Sequence, residues 1–478
     1  MGIDTGKVVK GGLYLTLRQI FAAGLSMVSI LIIARILGPS NYGIVTVTFG
    51  FFFFFAFSGR LGLNTYLIRQ PELDEDIPRQ VLAFYNTVGV ALCILLWLAA
   101  PLAGWWTKEP NVTLALRCII PGIWLHSVSR AIIGMLEREI RFVEVGLIEF
   151  VSQICNYLFA ISCVLILNAQ NSPYIFLGPI LGMVLQFAVQ ALFAQYLYPM
   201  KWSWQWKWSD VKPALQYGLT FSLSDSILNV RTLRVPVLVS SFLGVEAAGI
   251  TSVAIRLVDQ LALLRLVIRR MSISVIAKIL ADTEATRKAI SKGMAYQALL
   301  IGPICAGFAC IAAWIIPWMF GESWRLSAEI FPLIALGSLV SAIFDLHAST
   351  LYAAGYNRDV AIANLWYVGM LWVTAFLLLP VLGLWGYGIS EILALPSFFV
   401  IHRSFSKFYG QPNYRPAMLL ILAAVAPLML GPILSININP AIGFVVFLLS
   451  YGLFLGGSST LRRLPIELWE TWRRKRKK

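Results

Sequence analysis

Apolar runs of twenty or more residues recur from one end of this 478-residue chain to the other. A bilayer core about 30 Å thick is crossed by about twenty helical residues. Inside it every backbone polar group must find its partner within the protein. Charged residues make up 13% of the chain, about half the share usual in soluble domains, and no stretch is long and polar enough to form a separate soluble domain. The prediction is an all-α polytopic membrane protein with about 14 transmembrane helices: 13–36, 42–68, 81–105, 112–137, 143–167, 173–198, 213–242, 247–278, 293–318, 327–354, 360–380, 384–402, 417–435 and 441–460. Pro121, Pro179, Pro236, Pro303 and Pro332 fall inside spans and predict kinks. The first run is too long for a signal-peptide core and lacks a small-residue cleavage site, so no cleavable leader is expected.

Lysine and arginine set the orientation. With the N-terminus inside, the cytoplasmic segments hold 25 of the 38 basic residues, and the outer connections hold Arg35, Lys108 and Arg325. The tail, RRKRKK at 473–478, must then end inside, which requires an even number of spans and suits an anchor to anionic inner-leaflet lipids. The segment KWSWQWKW at 201–208 alternates tryptophan with polar residues and reads as an interfacial aromatic anchor.

LGPSNYGIVTV at 37–47 is echoed by LGVEAAGITSV at 243–253, an offset of 206 residues. Each copy follows one apolar run and opens the next. Glycine suits any tight turn between membrane helices, but the shared pattern L-G-x-x-x-x-G-I-x-x-V in matching surroundings points to two homologous halves, as in repeat-built transporters.

The remaining ten basic residues are all arginines at membrane depth: Arg18, Arg60, Arg117, Arg130, Arg231, Arg234, Arg256, Arg265, Arg269 and Arg270. Each costs about 2.5–3.5 kcal/mol at a span centre. Arg117, Arg234, Arg269 and Arg270 lie close enough to span ends to reach the interface, whereas Arg18, Arg60, Arg130, Arg231, Arg256 and Arg265 lie deeper and need a wet cavity or a fixed partner. Five carboxylates share that depth: Glu149, Asp225, Asp259, Asp345 and Glu391. Five acids cannot neutralise ten arginines. The excess points to an anionic cargo, and the planar guanidinium fork matches phosphate oxygens in pairs.

Arg256 and Asp259 are three apart and can share a helix face. Arg265 lies nine residues beyond Arg256, about half a turn around a straight helix, so either the helix is kinked or Arg265 serves another interface. Asp225, Asp259 and Asp345 are candidates for binding a coupling H+ or Na+, or for holding arginines in place. Glu149 reads as structural. His126 and His347 stand isolated and read as helix-packing groups. The six cysteines all lie in apolar runs, so no disulfide or metal site is expected. No phosphate-cradling loop is present. No cofactor and no nucleic-acid partner is expected.

Three stretches carry a resemblance: ARILGPSNYG at 34–43, LGLNTYLIRQ at 61–70, and LEREIRF at 136–142 with LIE at 147–149. In sequence, order and spacing the chain resembles the polysaccharide branch of the multidrug/oligosaccharidyl-lipid/polysaccharide exporter (MOP) superfamily, most of all colanic-acid-type exporters and other Wzx-type flippases. The resemblance implies two pseudo-symmetric six-helix lobes around a central cavity plus two C-terminal helices. The corresponding divisions are 1–200, a connection at 201–212, 213–410, and 411–478 with the basic tail. It also implies alternating access for a lipid-linked sugar head group whose polyprenyl tail stays in the bilayer. In the related lipid II flippases, cavity arginines lie on the first, second and eighth helices, which here carry Arg18, Arg60 and Arg256 or Arg265.

The expectation is a non-enzymatic flippase of the bacterial inner membrane for polyprenyl-diphosphate-linked oligosaccharide, with both termini cytoplasmic. Arg18, Arg60, Arg256, Arg265, Arg130 and Arg231 are its candidate diphosphate ligands, and other polysaccharide-assembly proteins are candidate partners. Two alternatives remain. One is an ion-coupled multidrug exporter of the same superfamily, whose organic cations a cationic cavity would repel. The other is a membrane polysaccharide polymerase or ligase, which would need a larger external loop than the connections of about ten residues read here.

Overall fold

The computed structural model describes residues 5–59, 61–69, 74, 76–263, 265, 276, 279–458 and 461–465, with side chains from 24 onward except at 69, 219–226 and 228. Its regular elements are α-helices with short 3-10 and π turns. Twelve helices among the described residues are long and apolar enough to cross a membrane. The sequence reading divides two of these, Gly24–Ser58 and Arg231–Leu261, at or near a glycine. The structure divides them there too: Gly38 and Gly244 take non-helical dihedrals and separate two helical arms.

Contacts divide the chain into Met1–Gly249 and Ile250–Lys478. The first unit contains α1 (Thr5–Ser58), α2 (Leu63–Arg69), α3 (Asp76–Thr107), α4 (Pro110–Ile119), α5 (Pro121–Arg138), α6 (Phe142–Ala169), α7 (Leu177–Leu197) and α8 (Trp208–Val230). It ends within α9 (Ser240–Leu261). Glu109 caps α4, its side chain accepting from Asn111 N–H, and Pro110 occupies the first position, where no N–H is needed. Ile120, between α4 and α5, keeps helical dihedrals (φ −52°, ψ −41°), so the two form one span over Pro110–Arg138 that is kinked at Pro121.

The core of this unit joins α2, α3, α5 and the first half of α8 through Leu63, Leu67, Leu82, Val128, Ile132, Val211 and Ala214. Val211 and Ala214 stand three apart on one face of α8. The tryptophan-rich connection is fastened along α3. Asn86 Nδ2 donates to Ser203 O at 3.2 Å, Thr87 Oγ1 donates to Trp204 O at 2.9 Å, and Lys207 N–H donates to Gln80 Oε1 at 2.8 Å. Trp206 packs edge-on against Phe84, while Trp202, Trp204 and Trp208 are exposed, as an aromatic belt at an interface requires.

The second unit contains the rest of α9, α10 (Thr283–Phe320), α11 (Arg325–Ala353), α12 (Asn357–Leu382), α13 (Leu384–Leu393), α14 (Phe398–Tyr409), α15 (Arg415–Asn437) and α16 (Pro440–Gly457). Asp282 caps α10 and Asn439 caps α16 through their side chains. Pro303 and Pro332 are accommodated inside α10 and α11. The last two helices pack on α10, where Ser450 Oγ donates to Ala423 O at 2.7 Å and joins α16 to α15. α16 buries few of its residues, and Leu448, Leu449 and Leu453 face outward, a surface suited to lipid.

Candidate functional site

The two copies of the sequence repeat take the same backbone form. Gly38 has φ 70° and ψ 172°, and Gly244 has φ 86° and ψ 172°. Essentially only glycine occupies this region. Each glycine turns the chain between two helical arms. Beyond the first, Pro39 takes a position where no N–H is required, and Asn41 Nδ2 donates to Leu37 O at 3.2 Å, covering a carbonyl freed by the break.

The elbows also pack against each other. A Cβ at Gly43 would fall 1.8 Å from Val245 O, and one at Gly249 would fall 2.3 Å from Pro39 O. Residues 43 and 249 are repeat equivalents, as are 39 and 245, so the contact is reciprocal. Ser40 Oγ donates to Glu246 Oε2 at 3.3 Å, again between equivalent positions. The contact runs backbone to backbone, and small residues at both crossing points permit it.

The arginines at membrane depth fall into different environments. Arg130 lies 3.4 Å from Glu137 and 3.9 Å from Glu149 in the first unit. Arg265 donates to both oxygens of Asp345, with Nη2 2.8 Å from Oδ1. The helix bearing Arg256 ends at Leu261 and turns, so Arg265 serves an interface with α11 instead of continuing the line of Arg256. A forked guanidinium–carboxylate pair of this kind fixes geometry as well as charge. Arg117 lies over the Trp97 ring, 4.4 Å from its centroid. Arg234, read from its position as able to reach the interface, is buried at 8% exposure where the helix widens into a π turn. Arg231 is half-buried in the preceding 3-10 turn.

Arg256 differs from these. It is half-buried on α9 and has no carboxylate partner among the described residues. Three-residue spacing puts Asp259 on the same side, yet no ion pair joins the two there, and Asp259 is exposed. A shared helix face does not by itself bring charged ends together. The side chains of Arg18 and Asp225, and Arg60, Arg269 and Arg270 altogether, lie outside the described residues.

Two polar clusters in the second unit escaped the sequence reading. His347 is not isolated. Its Nε2 lies 2.7 Å from Tyr414 Oη, which lies 2.8 Å from His402 Nδ1, and the His347 ring stacks on Tyr414. One hydroxyl therefore bridges two imidazoles from α11 and α14. Burial raises the pKa of Tyr414, which lies between two spans, and keeps the phenol protonated. Glu391, buried at 4% exposure, accepts from Tyr367 Oη and Tyr387 Oη, each at 3.0 Å. The four-residue spacing of Tyr387 and Glu391 is visible in the sequence; the partners from other helices are not.

The first unit also holds a cavity of about 450 Å³ lined by Phe51, Phe55, Leu96, Trp105, Leu116 and Val237 among others, with no charged residue among its described lining. Trp106 Nε1 donates to Val237 O at 3.0 Å beside it. Such a lining suits apolar chains and cannot hold a phosphate.

Residues 32–329 match the profile of the polysaccharide biosynthesis protein family. The chain is 22% identical over 353 residues to the lipopolysaccharide biosynthesis protein WzxC of Escherichia coli (strain K12), covering 73% of this chain and 70% of that one. Among solved structures it resembles the lipid II flippase MurJ in an inward closed conformation, with TM-score 0.70, 14% identity and coverage of 93% and 99% of the two chains. It also resembles an inward-facing multidrug resistance MATE family transporter of the MOP superfamily, with TM-score 0.61, 14% identity and coverage of 82% and 98%. The family profile covers well over half of the chain, and this multi-pass membrane protein therefore belongs to the polysaccharide biosynthesis protein family.

Proposed function

We propose that the chain is a flippase that carries polyprenyl-diphosphate-linked oligosaccharide from the inner to the outer leaflet of the bacterial inner membrane by alternating access. Family membership supports a role in polysaccharide synthesis, WzxC is named for lipopolysaccharide biosynthesis, and the fold is that of MurJ, named as a lipid II flippase. The observation that carries the anionic head group is Arg256, a half-buried guanidinium with no carboxylate partner among the described residues. In a site of low dielectric such a charge needs a counterion, and a diphosphate supplies one that leaves with the cargo. Arg18, Arg60 and Arg231 complete the proposed set. Arg130 and Arg265 act through the helices that their carboxylates tie together. Asp225 and Asp259 are the acids proposed for a coupling H+ or Na+, since Asp345 already accepts from Arg265. Both termini are proposed to be cytoplasmic, on the balance of basic residues.

Arg18→Ala, Arg60→Ala and Arg256→Ala, singly and together, test the reading by surface polysaccharide and by accumulation of the lipid-linked precursor on the inner face. Export should fall and precursor should accumulate, most in the triple variant. Undiminished export from the triple variant would remove the diphosphate assignment. Likeness to the MATE fold raises a second reading, export of organic cations; unchanged drug sensitivity in a deletion strain would dispose of it.

A further inference from the structure

A second cationic site lies in the unit Ile250–Lys478, distant in sequence from Arg256. Three elements build a cavity of about 670 Å³: the first turns of α10, the linker between α14 and α15, and the segment after α16. α10 contributes Arg287, Lys288, Ser291 and Lys292. These stand at i, i+1, i+4 and i+5, two adjacent rows on one helix surface. The linker is fastened to that surface. Asn413 N–H donates to Ser291 Oγ at 2.9 Å, and a Cβ on Gly410 would fall 3.3 Å from Arg287 Nη1. Arg463 and Leu464 form the third wall.

Its chemistry is two-sided. Arg287, Lys288, Lys292 and Arg463 supply four cations, and no acidic residue is among the described residues that line the cavity. Glu284 sits outside it, 2.6 Å from Lys288, which holds that carboxyl below its ordinary range. Ala295, Pro416 and Leu464 supply an apolar wall, with Leu464 buried. The site stands where α10, α15 and α16 meet their polar flanks, so one side faces the ends of apolar helices and the other faces water.

We infer that this cavity binds the head group of an anionic glycerophospholipid, its phosphodiester held by Arg287, Lys292 and Arg463 and its acyl chains running along α10 and α15. A free phosphate would be served by the cations alone and would have no use for the apolar wall. Basic pockets between membrane helices at the cytoplasmic edge are suited to such lipids, and the balance of basic residues assigns this edge to the cytoplasm. Such a lipid would cement the two C-terminal helices to α10. The assignment is independent of what the protein carries.

Native mass spectrometry of the full-length protein in neutral detergent tests it, with phosphatidylglycerol, phosphatidylcholine and inorganic diphosphate as separate probes. Phosphatidylglycerol should be retained at least about tenfold better than phosphatidylcholine. The triple variant Arg287→Ala/Lys292→Ala/Arg463→Ala should lose about fivefold per side chain, on the order of a hundredfold in all. The basic tail is unchanged in that variant, so its contribution cancels. The charge-preserving variant Arg287→Lys/Lys292→Arg/Arg463→Lys should retain the lipid, which separates loss of charge from loss of fold. Equal retention by parent and triple variant, equal retention of phosphatidylcholine, or displacement of the lipid by diphosphate would each overturn the inference.

Discussion

Gly43→Ala tests whether the paired elbows must meet for the described state to form. A methyl carbon at residue 43 would stand 1.8 Å from Val245 O, where ordinary contact begins near 3.4 Å. The obstacle is a backbone carbonyl held in a helix, so it cannot swing aside as a side chain would. The two arms must part by about 1.6 Å, the difference between those distances. Forced separations of packed elements cost about 1–3 kcal/mol, which disfavours the closed seam by about five- to 150-fold. The measurement is cross-linking between Ser40→Cys and Glu246→Cys, whose native side chains meet at 3.3 Å, by a short bis-thiol reagent in membranes. Gly43→Ala should depress the yield strongly. Gly249→Ala, with a 2.3 Å approach to Pro39 O, should do the same. Gly369→Ala is the control, because a Cβ there meets nothing within 4 Å. Parental cross-linking in both elbow variants would refute the claim that the seam depends on backbone contact.

Three further outcomes can be checked by thermal melts and transport assays. Asp345→Ala should destabilise by about 2–4 kcal/mol, below the full value for a buried pair because the partners keep 24% and 20% exposure, and Arg265→Met/Asp345→Leu should recover part of the loss; equal losses would argue against a stranded charge. Gly244→Ala should cost about 1–3 kcal/mol through backbone conformation alone, since space is open around it, and an unchanged melting temperature would contradict the strained geometry. Tyr414→Phe should cost about 1–3 kcal/mol by leaving buried His347 Nε2 without its partner, and a neutral effect would show that water replaces the hydroxyl.

The helical class was legible because bilayer thickness sets the length of an apolar run, and the elbows were legible because a backbone form restricted to glycine leaves that glycine at the same place in both copies. The divisions at 37–41 and 243–246 were legible for the same reason, since Gly38 and Gly244 leave helical geometry between two arms. Charge partnership was legible only locally. Arg130 and Glu137 are seven apart on one helix, while Arg265 reaches Asp345 across 80 residues of sequence and His347 reaches Tyr414 across 67. Arg256 and Asp259 show the converse, since nearness in sequence gave them a common helix side and no bond. Counting charges exposed an excess of guanidinium; tertiary packing decided which of the described arginines were already answered.

Between α8 and α9 the helix passes through a π turn at Arg234–Val239. Pro236 has no N–H to return to the preceding turn, and Ser240 and Ser241 donate their hydroxyls to Pro236 O and Val237 O. A π turn holds one residue more than an α turn for nearly the same rotation, so it absorbs an extra residue without turning the helices on either side. Deleting one residue there would close the turn to α geometry and leave Tyr217 against Tyr66, its edge-on neighbour at 5.8 Å. The same deletion inside α8, after Tyr217, would swing that ring away by about 100°.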